Sequence, residues 1–186
     1  VEAAAAAAEQ MNRYPDMGCV GLYDALATRL GVEPDQLAAA TGSVAVLYHL
    51  LQAYCDPGDE VVYAWRSFEA YPIAVSVVGA TSVQVPLTAE ARHDLDAMAA
   101  AITERTKVVV LCSPNNPTGP ALSHDEVRRF VDQVPGEVLV VVDEAYREFV
   151  RMDDPLDGLA LARERANVVA MRTFAKAYGL AGFRVG

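Results

Sequence analysis

Five short valine-rich runs constrain the fold of this 186-residue chain more than any other feature: "EVVYA" (60–64), "TSVQV" (81–85), "KVVVLC" (107–112), "EVLVVVD" (137–143) and "NVVAMRT" (167–173). They lack the polar alternation of a half-exposed strand, and so read as strands covered on both faces, as in a parallel sheet with helices on each side. Helix-length segments lie before and between them, at 1–10, 20–30, 43–55, 66–77, 94–102, 123–133 and 157–164. Strands alternating with helices imply βαβ-type units and a three-layer α/β/α fold with a mostly parallel sheet. A further strand-like stretch, "LAAAT" (37–41), precedes Gly42. No repeat or low-complexity linker interrupts the pattern, so a single domain over 1–186 is expected.

Composition narrows the function classes. The chain is 53% hydrophobic and carries a formal net charge of −10, which argues against a nucleic-acid surface or an anionic membrane surface. Arg128–Arg129 and Arg163–Arg165 read as solvated helix faces. Cys19, Cys55 and Cys112 are widely spaced with no CxxC pair, and His49, His93 and His124 share no ligand spacing. Metal and disulfide readings are therefore poor, and a reducing, cytoplasmic setting is expected. No apolar run approaches the roughly 20 residues of a membrane span. The opening "VEAAAAAAEQ" lacks the basic start of a signal peptide and reads as a helix entered partway along. Both ends are abrupt, and the expectation is a piece of a longer protein.

Candidate chemistry gathers at the carboxyl ends of the expected strands, where open α/β sheets bind ligands. In "TGSVAVLYHL", Ser43 opens a long apolar helix after Gly42. Free N–H groups there would seat a phosphate, although taken alone the residue is better explained as a plain serine N-cap. "CSPNNPTGP" (112–120) is a stiff turn in which Asn115 or Asn116 could present an amide to the crevice. Asp143 ends a very hydrophobic strand, where a carboxylate is costly unless paired. It is either a helix N-cap or the partner of a protonated heterocyclic nitrogen, and Tyr146 could aim its hydroxyl at the same place. "RTFAKAYGLAGFRVG" (172–186) holds Lys176, one of only two lysines in the chain. In an apolar crevice its neutral amine could attack a carbonyl and form a Schiff base. Arg184 is suited to a bidentate phosphate contact, and Thr173 adds a hydroxyl. Jointly these are the needs of pyridoxal 5'-phosphate: an amine, an acid for the ring nitrogen, donors for the ring oxygen, a phosphate cradle and an aromatic face.

"PNNPTG", "DEAY" and "RTFAKAYGLAGFRVG", in this order and spacing, resemble the fold-type I pyridoxal-phosphate aminotransferases, and the histidinol-phosphate aminotransferase family in particular. "NRYPDMG" (12–18) and "WRSFEAYP" (65–72) look closer still to that family's aromatic, phenylalanine-type branch. The resemblance implies that Lys176 forms the Schiff base and shuttles the proton, that Asp143 pairs with the pyridinium nitrogen, and that Tyr146 and Asn116 bond the ring oxygen. It implies Phe68 stacked on the ring, and phosphate contacts from Ser43, Val44, Thr173 and Arg184. Tyr14 would reach across a homodimer to the neighbouring subunit's phosphate. The implied reaction moves an amino group from an aromatic amino acid or histidinol phosphate to a 2-oxo acid such as 2-oxoglutarate. A fold-type I decarboxylase or lyase, or a non-catalytic pyridoxal-phosphate-binding domain, is the alternative. The family usually has serine before the lysine, and here Ala175 stands there. One lost hydroxyl contact to a charged group, about 1.5–3 kcal/mol, implies weaker cofactor retention. The resemblance also implies that residues 1–186 are the cofactor-binding large domain. The N-terminal arm, and a small C-terminal domain with the arginines for the substrate carboxylate, would then lie outside the chain.

Overall fold

The computed structural model describes residues 2–186, which fall into two compact units that meet in sequence between Ala38 and Ala39. The first unit holds α1 (Glu2–Ala8), α2 (Val20–Leu30) and a 3₁₀ turn, Pro34–Gln36. Between its helices the Asp16 carboxylate accepts the N–H groups of Gly18 at 2.9 Å and Val20 at 2.7 Å, which fixes the entry to α2. Gly31 ends α2 in the left-handed conformation.

The second unit runs α3 (Ser43–Tyr54), β1 (Glu60–Trp65), α4 (Ala70–Val77), β2 (Thr81–Pro86), α5 (Leu95–Ala100), β3 (Thr106–Cys112), α6 (His124–Val131), β4 (Leu139–Asp143), α7 (Gly158–Glu164) and β5 (Val168–Met171). All five strands are parallel, in the order β2-β1-β3-β4-β5. The three-layer α/β/α expectation holds. One face of the sheet, with Val61, Tyr63, Val108, Val110, Leu139 and Val141, packs under Leu47 and Leu51 of α3 and Tyr71, Ala74 and Val75 of α4. The other face, with Val62, Val109, Leu111, Val140 and Val142, packs under Met98 of α5, Val127 and Phe130 of α6 and Leu161 of α7. Successive residues of β1, β3 and β4 enter opposite cores, which is why their valine runs show no polar alternation, whereas the edge strand β2 is mostly exposed and buries only Val85.

Three sequence expectations shift. "LAAAT" joins no strand. Ala40 instead exchanges two backbone hydrogen bonds with Gly186, at 2.9 and 3.2 Å, and alanines offer little side-chain surface for a pleated ladder. The helix expected from 66 starts at Ala70, because tertiary bonds claim the residues before it. The Ser67 hydroxyl donates to Asn115 Oδ1 at 2.7 Å, and the Arg66 carbonyl accepts from Asn115 Nδ2 at 3.0 Å. Arg172 and Thr173 leave the β5 ladder for the edge of the crevice. The arginine patches on α6 and α7 are paired surfaces: Arg128 with Glu164, Arg129 with Asp125 and Arg165 with Asp132. Among the described residues no helix is long and apolar enough to cross a membrane.

Helix α7 docks closely because it starts on a glycine. A methyl group at Gly158 would sit 3.1 Å from both Ala170 Cβ and Val142 Cγ1 and 3.2 Å from the Glu144 carboxyl carbon. Gly158→Ala is expected to destabilise the protein by about 1–3 kcal/mol through overpacking, read as a lower midpoint in urea unfolding. An unchanged midpoint would mean that α7 has room to move away.

Candidate active site

The strand order reverses between β1 and β3, since β2 follows β1 to one side while β4 and β5 follow β3 to the other. The crevice beyond such a reversal is where doubly wound sheets hold ligands. The segments leaving β1, β3, β4 and β5 at this edge carry Phe68, Asn116, Tyr146 and Thr173–Lys176.

Asp143 is the last residue of β4, opposite Cys112 in the ladder. Strand parity places it on the α3/α4 side with Leu139 and Val141. It is 4% exposed. Its Oδ1 accepts the Ala145 N–H at 3.1 Å, and its Oδ2 accepts the Tyr71 hydroxyl at 2.8 Å. The bond to Ala145 is a short turn two residues on, so Asp143 caps no α-helix. Burial raises its pKa above the usual carboxylate value, opposed by the two donors and by the Lys176 charge. Among the described residues no cation forms an ion pair with it, and this is the demand that a protonated ligand nitrogen would meet.

The adjacent acid points the other way. Glu144, 1% exposed, accepts from the Gly158 N–H at 2.8 Å and from Arg172 Nε at 2.7 Å, with Arg147 at 3.8 Å. Burial pushes its carboxyl up to about 7 against these partners. It ties the ends of β4 and β5 to the start of α7. Neither Glu144 nor Arg172 was expected from sequence, where both resemble ordinary surface charges.

The two asparagines of "PNNPTG" divide their work. Asn115 is buried and fully engaged: its Oδ1 accepts from Ser67 and lies 3.2 Å from His93 Nε2, while its Nδ2 donates to Arg66 and Thr118. Asn116 is half-buried, has no side-chain hydrogen bond among the described residues, and lines a cleft of about 660 Å³ with Tyr146, Phe149 and Arg151. Phe68 meets Tyr71 edge-on, with ring centroids 5.6 Å apart, and so joins the Tyr71–Asp143 contact.

Lys176 is exposed, contrary to the apolar crevice expected for it, because the segment after β5 runs over the surface. Its ammonium lies 5.5 Å above the centre of the Tyr146 ring, a cation–π contact that brings two expected residues together. Thr173 is buried, and its hydroxyl accepts the Ala175 N–H at 3.1 Å.

The start of α3 is built differently from the helices on the far face. Asp94, Ser123 and Asp157 cap α5, α6 and α7 with side-chain hydrogen bonds. Gly42 caps α3 with none, and Ser43 is the first helical residue rather than the N-cap. The φ of +96° at Gly42 is one that other residues rarely adopt, and a Cβ there would run into the Arg184 guanidinium. The first N–H groups of α3, including those of Ser43 and Val44, have no acceptor within the helix. The Arg184 guanidinium lies beside this helix start, and the Gly186 backbone packs against the Ser43 N–H. Tyr14 belongs to the first unit and is 96% exposed.

The family model for class I and II aminotransferases matches residues 1–186. The chain belongs to that family. It is 60% identical over 186 residues to the aromatic amino acid aminotransferase of Streptomyces avermitilis, covering all of this chain and 52% of that protein. It is 58% identical over 185 residues to the enzyme of the same name from Rhodococcus jostii, covering 51% of that protein. Among solved structures, the histidinol-phosphate aminotransferase of Sinorhizobium meliloti in complex with pyridoxal-5'-phosphate superposes with a TM-score of 0.89 at 32% identity, over 96% of this chain and 48% of that one. A putative histidinol-phosphate aminotransferase from Erwinia carotovora atroseptica gives 0.92 at 26% identity, over 100% and 54%. The chain spans about half the length of the relatives it matches.

Burying Asp143 carries a stability cost with a definite pH signature. Its folded pKa is raised, so the folded state holds this proton more tightly than the unfolded chain. The stability it contributes is fully present below the ordinary value of 3.8 and is lost as pH rises through the folded pKa. Asp143→Asn keeps one oxygen for the Ala145 N–H and turns an amide N–H toward the Tyr71 hydroxyl, which can accept it, and should remove this loss. In the cofactor-free protein, the variant's melting temperature should gain on the wild type's between acid and neutral pH. A constant difference across that range would show that Asp143 ionises without penalty.

Proposed function

We propose that this chain is the cofactor-binding part of a pyridoxal-phosphate-dependent transaminase that takes aromatic amino acids as donors and a 2-oxo acid such as 2-oxoglutarate as acceptor. One observation carries the reading: a buried carboxylate with no ion-pair partner among the described residues, an amine on the neighbouring segment and a helix start without a side-chain cap beside an arginine all belong to a single sheet edge. These features fit the cofactor. A ring-nitrogen proton would satisfy Asp143, and a phosphate dianion would satisfy the α3 terminus and Arg184. When bound, pyridoxal phosphate supplies an electron sink for charge developing at a substrate's α-carbon.

The residues then divide the labour. Asp143 holds the proton at the ring nitrogen, since a carboxylate facing that atom favours its charged form. Lys176 would hold the cofactor through its amine and would carry the α-proton of the donor. Asn116 and Tyr146 donate to the ring oxygen, and Phe68 covers one face of the ring. Ser43 and Val44 through their N–H groups, Thr173 through its hydroxyl and Arg184 through its fork hold the phosphate. The aromatic donor is supported by relatives of that name at 58–60% identity. The full enzyme is proposed to be a homodimer in the cytoplasm, with residues 1–186 as its large domain.

Lys176→Ala in the full-length enzyme should cut amino transfer from phenylalanine by more than about a hundredfold, the loss expected when the proton carrier goes. Turnover within a few-fold of wild type would remove Lys176 from the chemistry. Phenylalanine, tyrosine and tryptophan should exceed histidinol phosphate in kcat/KM, and the reverse order would transfer the donor assignment to histidinol phosphate.

Tyr14 tests assembly. If its hydroxyl serves the partner subunit's phosphate, Tyr14→Phe should weaken cofactor binding about tenfold or more, as for one lost bond to a charged acceptor. Mixed dimers of Tyr14→Phe with Lys176→Ala subunits should regain wild-type affinity at the site that keeps Lys176. Affinity that stays low in every mixture would place Tyr14 outside the partner's site.

A further inference from the structure

The sequence reading of "WRSFEAYP" gave Phe68 a role and Tyr71 none. Yet Tyr71 is the residue that touches the buried acid. It lies on the sheet-facing side of α4 and is 1% exposed. Edge-on contacts with Tyr63 at 5.7 Å and Phe68 at 5.6 Å hold its ring from two sides. Its hydroxyl ends 2.8 Å from Asp143 Oδ2. A tyrosine hydroxyl in a core is costly without an acceptor, and helix packing alone would be served by phenylalanine.

We propose that Tyr71 is a positioning residue of this site, whose hydroxyl holds Asp143 as an oriented anion toward the ligand nitrogen. The proposal rests on the pyridoxal-phosphate reading for the identity of that ligand. The contact itself is independent of it.

The hydrogen-bond inventory around the carboxylate supports the direction of donation. With Tyr71 on Oδ2 and the Ala145 N–H on Oδ1, each oxygen has one donor, so rotation of the carboxylate would break both bonds. The groups facing Asp143 are Tyr71 from α4, Cys112 from β3 and Lys176 from the segment after β5, while Glu144, turned to the opposite face, acts on it only through its charge. Burial and Glu144 disfavour the anion, while Tyr71, the Ala145 N–H and Lys176 favour it. Burial, and the nearby Asp143 charge, push the Tyr71 hydroxyl well above its usual range, so it stays a donor. Cys112 is turned to the Pro114 carbonyl at 3.4 Å, and burial pushes its thiol up to about 12, so it stays neutral. Tyr71 is thus the one side chain bonded to the carboxylate among the described residues, and it acts without placing a competing cation in the crevice.

The test uses Tyr71→Phe, which keeps the ring in its packing. In the cofactor-free full-length protein with ¹³C-labelled aspartate, the Asp143 carboxyl titration should move upward by about one pH unit or more, as expected when one hydrogen bond to the anion is lost. In equilibrium titrations with pyridoxal phosphate, affinity should fall off at a correspondingly higher pH than in wild type. The effect of Tyr71→Phe should vanish in an Asp143→Asn background. An unmoved Asp143 titration overturns the proposal, and so does an affinity loss that is equal at every pH or survives in the Asp143→Asn background. If wild-type protein binds no pyridoxal phosphate, the proposed function falls, and the cofactor-free titration still decides the role of Tyr71.

Discussion

A parallel sheet must be covered on both faces, and the remaining features of the second unit follow from meeting that demand. Its central strands β1, β3 and β4 have no solvent-facing side, so each supplies apolar side chains alternately to two cores. Helices α3 and α4 close one core and α5, α6 and α7 the other. The polar side chains of the candidate site lie at the carboxyl ends of the strands and in the segments that follow them. The reversal of strand order between β1 and β3 parts those segments and leaves a crevice there.

The same alternation separates two neighbouring carboxylates. Asp143 and Glu144 are consecutive, and strand parity sends them to opposite sides of the sheet. Glu144 meets Arg172, Arg147 and the Gly158 N–H, and joins two strand ends to a helix. Asp143 takes its hydrogen bonds from the neutral donors Tyr71 and Ala145. Similar burial therefore yields a brace with ion pairs on one face and, among the described residues, a carboxylate held only by neutral donors on the other.

Helix ends repeat this division. On the α5–α7 face each helix start is capped by an Asp or Ser side chain. On the site face α3 begins at a glycine without a side-chain cap and with an arginine beside it. A phosphate seat and a capped helix are alternative uses of the same N–H groups.

Sequence by itself determined the layering and the parallel sheet. Continuous apolar runs report burial on both faces, and runs of Asn, Pro and Gly report turns, through local physics that needs no partner. It also singled out Asp143, because a carboxylate after five apolar positions is costly wherever the chain goes. Tertiary structure alone decided which side chains meet. Only the packing of α4 against the sheet shows that Tyr71 reaches Asp143, and only the return of the chain to α3 sets Arg184 beside Gly42. Which asparagine of the turn is consumed internally followed from Ser67 and His93, 48 and 22 residues away in sequence. Such pairings are set by distances between elements remote along the chain, and residue order carries no record of those distances.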